Sequence, residues 1–431
     1  MTKTYHPETL ALHVGQEKAD AATNARAVPV YRTTAYNFNN SEHGANLFAL
    51  KELGNIYSRL MNPTNDVLEK RLAALDNGAA GLTLSSGTAA VYFTLTNILK
   101  QGDEFVSANN LYGGTFTQFD AILPQQGITA RFTAVNDFKA VEAAINSKTR
   151  AIFVETIGNP VLDVTDLEGY SKIAKKHHIP LIVDATFTPP FLLRPIDYGA
   201  NIVIHSLSKW IGGHGTGIGG IVIDDGKFDW TDKKFDLFNE PDRGYHGLRF
   251  GHDLGPLSSL AFILRLRTVG LRNQGPTLAP DAAWLFLQGV ESLALRINKH
   301  SENALAVAKF LKKHAKVAWV RYPGLEGDPA YKLAQKYLPN GQGGMVVFGL
   351  KDDKTGKKAT KLVDNIKLFS LLANVGDAKS LIIHSSSTTH SQLSEKAQDA
   401  GGLHNDLIRL SIGLEHIDDI IGALEDVLKT V

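Results

Sequence analysis

From Gly81 to Ile223 the chain repeats one pattern, a short apolar run every 20 to 30 residues with a polar or helical segment between. Leu82-Thr-Leu84, Phe105-Val-Ser107, Ala151-Ile-Phe-Val154, Leu181-Ile-Val183 and Ile202-Val-Ile204 are the clearest runs. Each is too short for a helix and rich in β-branched or aromatic side chains, as suits strands buried on both faces. Residues 67–75, 115–123 and 167–177 carry the spacing of amphipathic helices. This alternation predicts an α/β protein with a mostly parallel central sheet.

Residues 1–60 lack the rhythm and read as an extended arm of the kind that reaches a neighbouring subunit. Residues 61–280 hold the alternation and form the expected main domain. The region 255–314 reads as largely helical, and beyond it strands such as Gly344-Met-Val-Val-Phe348 mix with a closing helix over 417–428. Residues 281–431 are therefore assigned to a helical connection and a smaller C-terminal α/β domain.

Composition narrows the function. Lys and Arg number 45 against 44 acidic residues, without a basic block, so the electrostatic footprint of a nucleic-acid binder is absent. The N-terminus carries no apolar leader and the apolar stretch 257–271 is interrupted by Arg265 and Arg267, so neither reads as a membrane segment and a cytoplasmic location is expected. The chain has no cysteine, which excludes disulfides, thiolate metal sites and a cysteine persulfide. Sulfur, if handled, must arrive on a substrate.

Ligands of parallel sheets sit beyond the carboxyl ends of the strands, so the residues following each apolar run carry the most information. After Leu84 comes Ser85-Ser86-Gly87-Thr88-Ala89-Ala90, small residues opening a helix whose free N–H groups suit a phosphate. By itself this is equally a tight strand-to-helix turn. After Val183 comes Asp184, alone no more than a cap or loop anchor. After Ile204 comes His205-Ser206-Leu207-Ser208-Lys209-Trp210, then glycines at 212, 213, 215, 217, 219 and 220. A buried ammonium is costly, but a lysine that forms a Schiff base escapes most of that cost. Pyridoxal phosphate needs such a lysine, a carboxylate against its ring nitrogen and a phosphate cradle. Lys209, Asp184, the Gly87-Thr88 turn and the hydroxyls of Ser206 and Ser208 supply those parts together.

Competing motifs fail in context. Gly215-Thr-Gly217-Ile-Gly219-Gly220 looks like a dinucleotide loop, yet an apolar run, Ile221-Val-Ile223, follows it where a helix should open. No Walker A or G-x-S-x-G sequence is present, and His384 and His390 lack the spacing of helical metal ligands, so no metal is expected.

These residues resemble the Cys/Met-metabolism enzymes that depend on pyridoxal phosphate, of aminotransferase-like fold (fold type I). The likeness spans nearly the whole chain through Tyr57-Ser-Arg59-Leu-Met-Asn62-Pro63-Thr64, Ser86-Gly87-Thr88-Ala89-Ala90, Leu111-Tyr112-Gly113-Gly114-Thr115, Gly158-Asn159-Pro160, Val183-Asp184-Ala-Thr186 and Ser206-Leu-Ser208-Lys209. The resemblance implies that Lys209 bonds the cofactor and shuttles protons, Asp184 pairs with the ring nitrogen and Tyr112 stacks on the ring. It implies that Asn159 meets the phenolic oxygen, with Thr186 beside Asp184. Ser86, Gly87, Thr88, Ser206 and Ser208 would hold the phosphate, joined by Tyr57 and Arg59 from an adjacent subunit. A homodimer is then the smallest complete unit and a tetramer the expected assembly. Arg409 looks like the clamp for the substrate carboxylate, which a guanidinium binds bidentately, and Asn374 lines the substrate site by the same resemblance.

Within the family, the opening Thr9-Leu-Ala-Leu-His-Val-Gly-Gln16, residues 45–55, Asn374 and the extra length after the sheet domain resemble the O-acetylhomoserine sulfhydrylase branch. The implied reaction is γ-replacement on an activated homoserine with a sulfur donor. Cystathionine γ-synthase and a γ-lyase are alternative readings, and a non-catalytic cofactor-binding protein is the reading outside enzymes. Three positions depart from the family pattern: Asn201 for an acidic residue, Ser208 for threonine and Ser385 for proline.

Overall fold

The computed structural model describes residues 5–388 and 404–431. His390 lies outside them. A seven-stranded sheet is built from β1 (Ala80–Leu84), β2 (Glu104–Ala108), β3 (Thr129–Thr133), β4 (Thr149–Glu155), β5 (Leu181–Asp184), β6 (Ile202–Ser206) and β7 (Gly220–Asp224). Its order is β1-β7-β6-β5-β4-β2-β3. Only β7 runs antiparallel, to both β1 and β6, so the carboxyl ends of the other six strands share one edge with the start of β7. The sheet core is dry: Leu82, Phe105, Ile152, Val183, Val203 and Ile221 are fully buried.

Local sequence explains the elements. Asn62 caps the helix Pro63–Leu75, whose proline at the first position needs no donor. Ser86 caps Gly87–Ile98 by accepting the Ala89 N–H at 3.0 Å. The strand β3 escapes the apolar-run criterion because it is a sheet edge whose residues alternate toward solvent. Residues 115–123 are not one amphipathic helix. They are split among an α-turn (Gly113–Thr117), a π-turn (Gln118–Ile122) and a 3-10 turn (Leu123–Gln126).

The helical region after the sheet is also interrupted: Gly275, at φ 77°, and Pro276 end its first part before Pro280–Glu291 and the 21-residue helix Leu293–Lys313. A second sheet of five strands follows, from β8 (Val317–Arg321), β9 (Met345–Leu350), β10 (Ser370–Leu371), β11 (Leu381–His384) and β12 (Leu407–Ser411), in the order β10-β11-β12-β9-β8. The helix Ile417–Leu428 packs against it through Ile420, Leu424 and Leu428. Residues 5–60 hold two short helices, Pro7–His13 and Ser41–Phe48, in otherwise irregular chain that leaves Phe38, Leu53 and Tyr57 exposed. Among the described residues no helix is long and apolar enough to cross a membrane.

Candidate active site

Four polar clusters meet where the strands of the larger sheet end. The first is the turn after β1. Gly220, opening β7, is in register with Leu84 on one side and Ser206 on the other. A Cβ on Gly220 would lie 2.2 Å from the Ser86 carbonyl oxygen, and one on Gly87 would lie 2.6 Å from the Ser206 Cβ. Two glycines thus let the first helical turn lie flat against the end of β6. Ser86 Oγ satisfies Ala89, leaving the N–H groups of Gly87 and Thr88 without intrahelical acceptors.

The second cluster ends β5. Asp184 Oδ1 accepts the Thr186 N–H at 2.9 Å, and Thr186 Oγ1 accepts the Ser206 N–H at 2.8 Å. Burial pushes the Asp184 carboxyl upward, opposed by the Thr186 hydrogen bonds and by His205. His205 is fully buried with its Nε2 2.7 Å from Asp76 Oδ2 and its Nδ1 3.2 Å from the Ala185 carbonyl. Burial alone would lower the imidazole, but the Asp76 carboxylate outweighs it and the net direction is up.

The third cluster is the turn after β6. Lys209 is half-buried, and its Nζ donates to Asn374 Oδ1 at 2.6 Å. Burial, then the Arg409 charge, brings its ammonium down to about 8, so far more of it is neutral near physiological pH than of a free lysine. The turn is braced from below by Arg296, which donates to the carbonyls of Trp210 at 2.7 Å and Ile211 at 3.0 Å. Ser208 Oγ faces Gly219, accepting its N–H at 3.0 Å, and so ties the glycine run to the lysine turn.

The fourth cluster joins the two sheets. Arg409, on β12, is buried and donates to Asn159 Oδ1 at 3.1 Å and to the Asn374 carbonyl at 3.5 Å. Burial lowers its guanidinium to about 10, and among the described residues no carboxylate pairs with it. A buried guanidinium without a counter-ion is a ready site for an anionic ligand. Tyr112 stands at the rim with 49% of its surface exposed, unusual for a large aromatic between buried strands. Its backbone N–H donates to Glu155 Oε1 at 2.7 Å.

Tyr57 and Arg59 stand apart. Both are exposed, the guanidinium lies 5.1 Å from the Tyr57 ring centroid, and neither bonds a residue of these clusters within the chain. The run 215–220 leads into β7 and opens no helix, unlike a dinucleotide loop. His384 is engaged by Ser387 at 2.7 Å and the Asn405 carbonyl at 2.6 Å, so its ring is held within the smaller domain. Glu155, Arg296 and the Asp76–His205 pair are site residues beyond those expected from the sequence. Of these Glu155, directly after the run Ala151–Val154, and His205, directly after Ile202–Ile204, carry a signal, whereas Arg296 and Asp76 carry none.

A sequence model of the Cys/Met metabolism PLP-dependent enzymes matches residues 8–429. The chain belongs to that family. This Cys/Met-metabolism enzyme is 50% identical over 436 residues to a protein named O-acetyl-L-homoserine sulfhydrylase from Leptospira meyeri, spanning 100% of the chain and 98% of the relative. It is 50% identical over 427 residues to a homocysteine synthase from Schizosaccharomyces pombe, with 98% of each chain covered. Among solved structures, a putative O-acetylhomoserine (thiol)-lyase from Campylobacter jejuni with N′-pyridoxyl-lysine-5′-monophosphate superposes with a TM-score of 0.94 at 43% identity, covering 99% of this chain and 100% of that one. The expected fold type I α/β architecture therefore stands. Pyridoxal phosphate is the enzyme's cofactor, and the glycine cradle, depressed lysine and buried carboxylate fit it.

Proposed function

We infer that the enzyme is an O-acetylhomoserine sulfhydrylase, converting O-acetyl-L-homoserine and sulfide to L-homocysteine and acetate in methionine biosynthesis. The observation that carries this is identity of half the residues, over the whole length, with relatives named for that activity. When bound, the cofactor supplies an electron sink for the carbon that bears the amino group.

The chain's residues supply the rest of the proposed chemistry. Arg409 holds the substrate carboxylate, and its partners Asn159 and Asn374 fix the guanidinium plane. Lys209 removes the Cα proton and then a Cβ proton, a task suited to an amine poised near neutrality. Acetate leaves Cγ, sulfide bonds the same carbon, and Lys209 returns the protons. Asp184 would pair with the ring nitrogen, its carboxylate oriented by the Thr186 N–H. Gly87, Thr88, Ser86, Ser206 and Ser208 form the phosphate side of the site, and Tyr112 offers its exposed ring to stack on the cofactor.

The proposal extends to assembly. Exposed Tyr57 and Arg59, which among the described residues bond none of the four clusters, support a homodimer in which each arm completes the partner's site; a tetramer of two such dimers is part of the same proposal. It keeps the division into an arm (1–60), a cofactor domain (61–280) and a connecting and substrate domain (281–431). A cytoplasmic location is part of the same proposal and is tested by cell fractionation. The reaction is tested by incubating the purified enzyme with O-acetylhomoserine and either sulfide, cysteine or neither. Sulfide-dependent homocysteine with stoichiometric acetate supports it; cystathionine formed in preference, or 2-oxobutanoate formed without any thiol, overturns it in favour of a synthase or a lyase.

A further inference from the structure

Glu155 ends β4 beside the cluster that positions the cofactor, and none of the roles above uses its side chain. The parallel ladder puts Glu155 in register with Asp184 of β5. Registered neighbours of adjacent parallel strands lie about 4.8 Å apart and project to the same face. Two carboxyl groups so placed in a buried sheet edge cannot both hold a charge at low cost. Glu155 is 6% exposed, and its Oε1 accepts the Tyr112 N–H at 2.7 Å. It thus lies in register with Asp184 and hydrogen-bonds Tyr112, the two residues assigned to the ring.

We propose that Glu155 is a positioning residue that works as a neutral acid: it anchors the Tyr112 backbone while leaving the single negative charge of the pair on Asp184. The surroundings favour that division. Thr186 donates to Asp184, and His205 on β6, held by Asp76, faces Asp184 with positive charge. Glu155 has no such support: burial and then Asp184 push it well above the usual carboxyl range, offset only by the Tyr112 N–H. The cations of the site, Lys209 and Arg409, bond Asn374 and Asn159 rather than either carboxyl. A charged Glu155 in register with Asp184 would raise the cost of the negative charge that Asp184 must keep. A neutral one can fix the aromatic ring at no electrostatic cost.

The inference rests on Asp184 being the ring-nitrogen partner, so the test includes that residue. In the holoenzyme without substrate, the visible circular dichroism of the bound cofactor and the pH titration of its absorbance are recorded for Glu155→Gln, Glu155→Ala and Asp184→Asn. Glutamine is neutral and keeps the acceptor, so E155Q is expected to match the wild type in both signals and to retain kcat/KM within about threefold. E155A leaves the Tyr112 N–H without its acceptor, and kcat/KM falls about tenfold, as expected for one buried hydrogen bond, with loss of the dichroic band. If E155Q shifts the titration as much as E155A does, Glu155 carries charge and the proposal fails; wild-type signals in E155A also overturn it. An unchanged titration in D184N would instead remove the ring-partner reading on which the inference stands.

Discussion

The substitution Gly220→Ala measures how much of cofactor binding depends on the close approach of three strands. Its Cβ would sit 2.2 Å from the Ser86 carbonyl oxygen and 2.8 Å from the Gly87 nitrogen. Restoring ordinary contact requires the Ser86–Gly87 turn to retreat by about 1 Å. Overpacking of this kind costs about 1–3 kcal/mol. The displaced N–H groups lose alignment with the phosphate, and one hydrogen bond to a charged group contributes about 1.5–3 kcal/mol. The expected result is a Kd for pyridoxal phosphate raised about 10- to 100-fold, read by titrating cofactor-free enzyme and following absorbance. Gly422→Ala is the control: its Cβ meets nothing within 4 Å in the closing helix, so stability should rise by about 0.8–1 kcal/mol with cofactor affinity unchanged. A Gly220→Ala enzyme that binds cofactor within twofold of wild type would refute the cradle.

Three further outcomes follow from the same geometry. Cofactor-free enzyme should capture pyridoxal phosphate at a rate that rises through an apparent pKa of about 8, the value to which burial and Arg409 bring Lys209; a rise centred near that of a free lysine would contradict it. Asp76→Ala should lower stability in urea by about 1–3 kcal/mol at pH 6, since it removes the charge and hydrogen-bond partner of the buried His205 ring. Because the folded pKa of His205 is raised, its pairing is fully present below its ordinary value of 6.5 and fades as pH rises through the folded pKa, so the penalty should shrink by pH 9. A penalty equal at both values would mean the pair is not ionic. Finally, mixing inactive Arg59→Ala and Lys209→Ala chains should regain activity through hybrid dimers with one intact site, whereas verified exchange without recovery would place Arg59 outside the partner's site.

The sequence makes the central sheet legible because β1, β2, β4, β5 and β6 are buried on both faces and therefore read as unbroken apolar runs. It conceals β3, a half-exposed edge, and the π-turns at Gln118–Ile122 and Leu266–Leu271, whose composition is ordinary for a helix. The cofactor is legible for the same reason as the sheet: Asp184 ends one strand and Lys209 lies in the turn after another, and polar residues there stand out against apolar neighbours. Glu155 obeys that rule too, yet as a single carboxyl after a strand it points to nothing until the register sets it beside Asp184. The supports of the site are harder to read. Arg296 reaches Trp210 across 86 positions and Asp76 reaches His205 across 129, and only the folded chain brings such pairs together.

Lys209 is the residue on which the cofactor's place depends, and one measurement locates that bond without assuming any reaction. Borohydride reduction of the holoenzyme fixes the cofactor to whichever amine it occupies, and peptide mass spectrometry then locates it. A phosphopyridoxyl group is expected on Lys209 at close to one per chain, and none at that position in Lys209→Ala. Reduction that labels another lysine, or labels none while the cofactor stays bound, would contradict it.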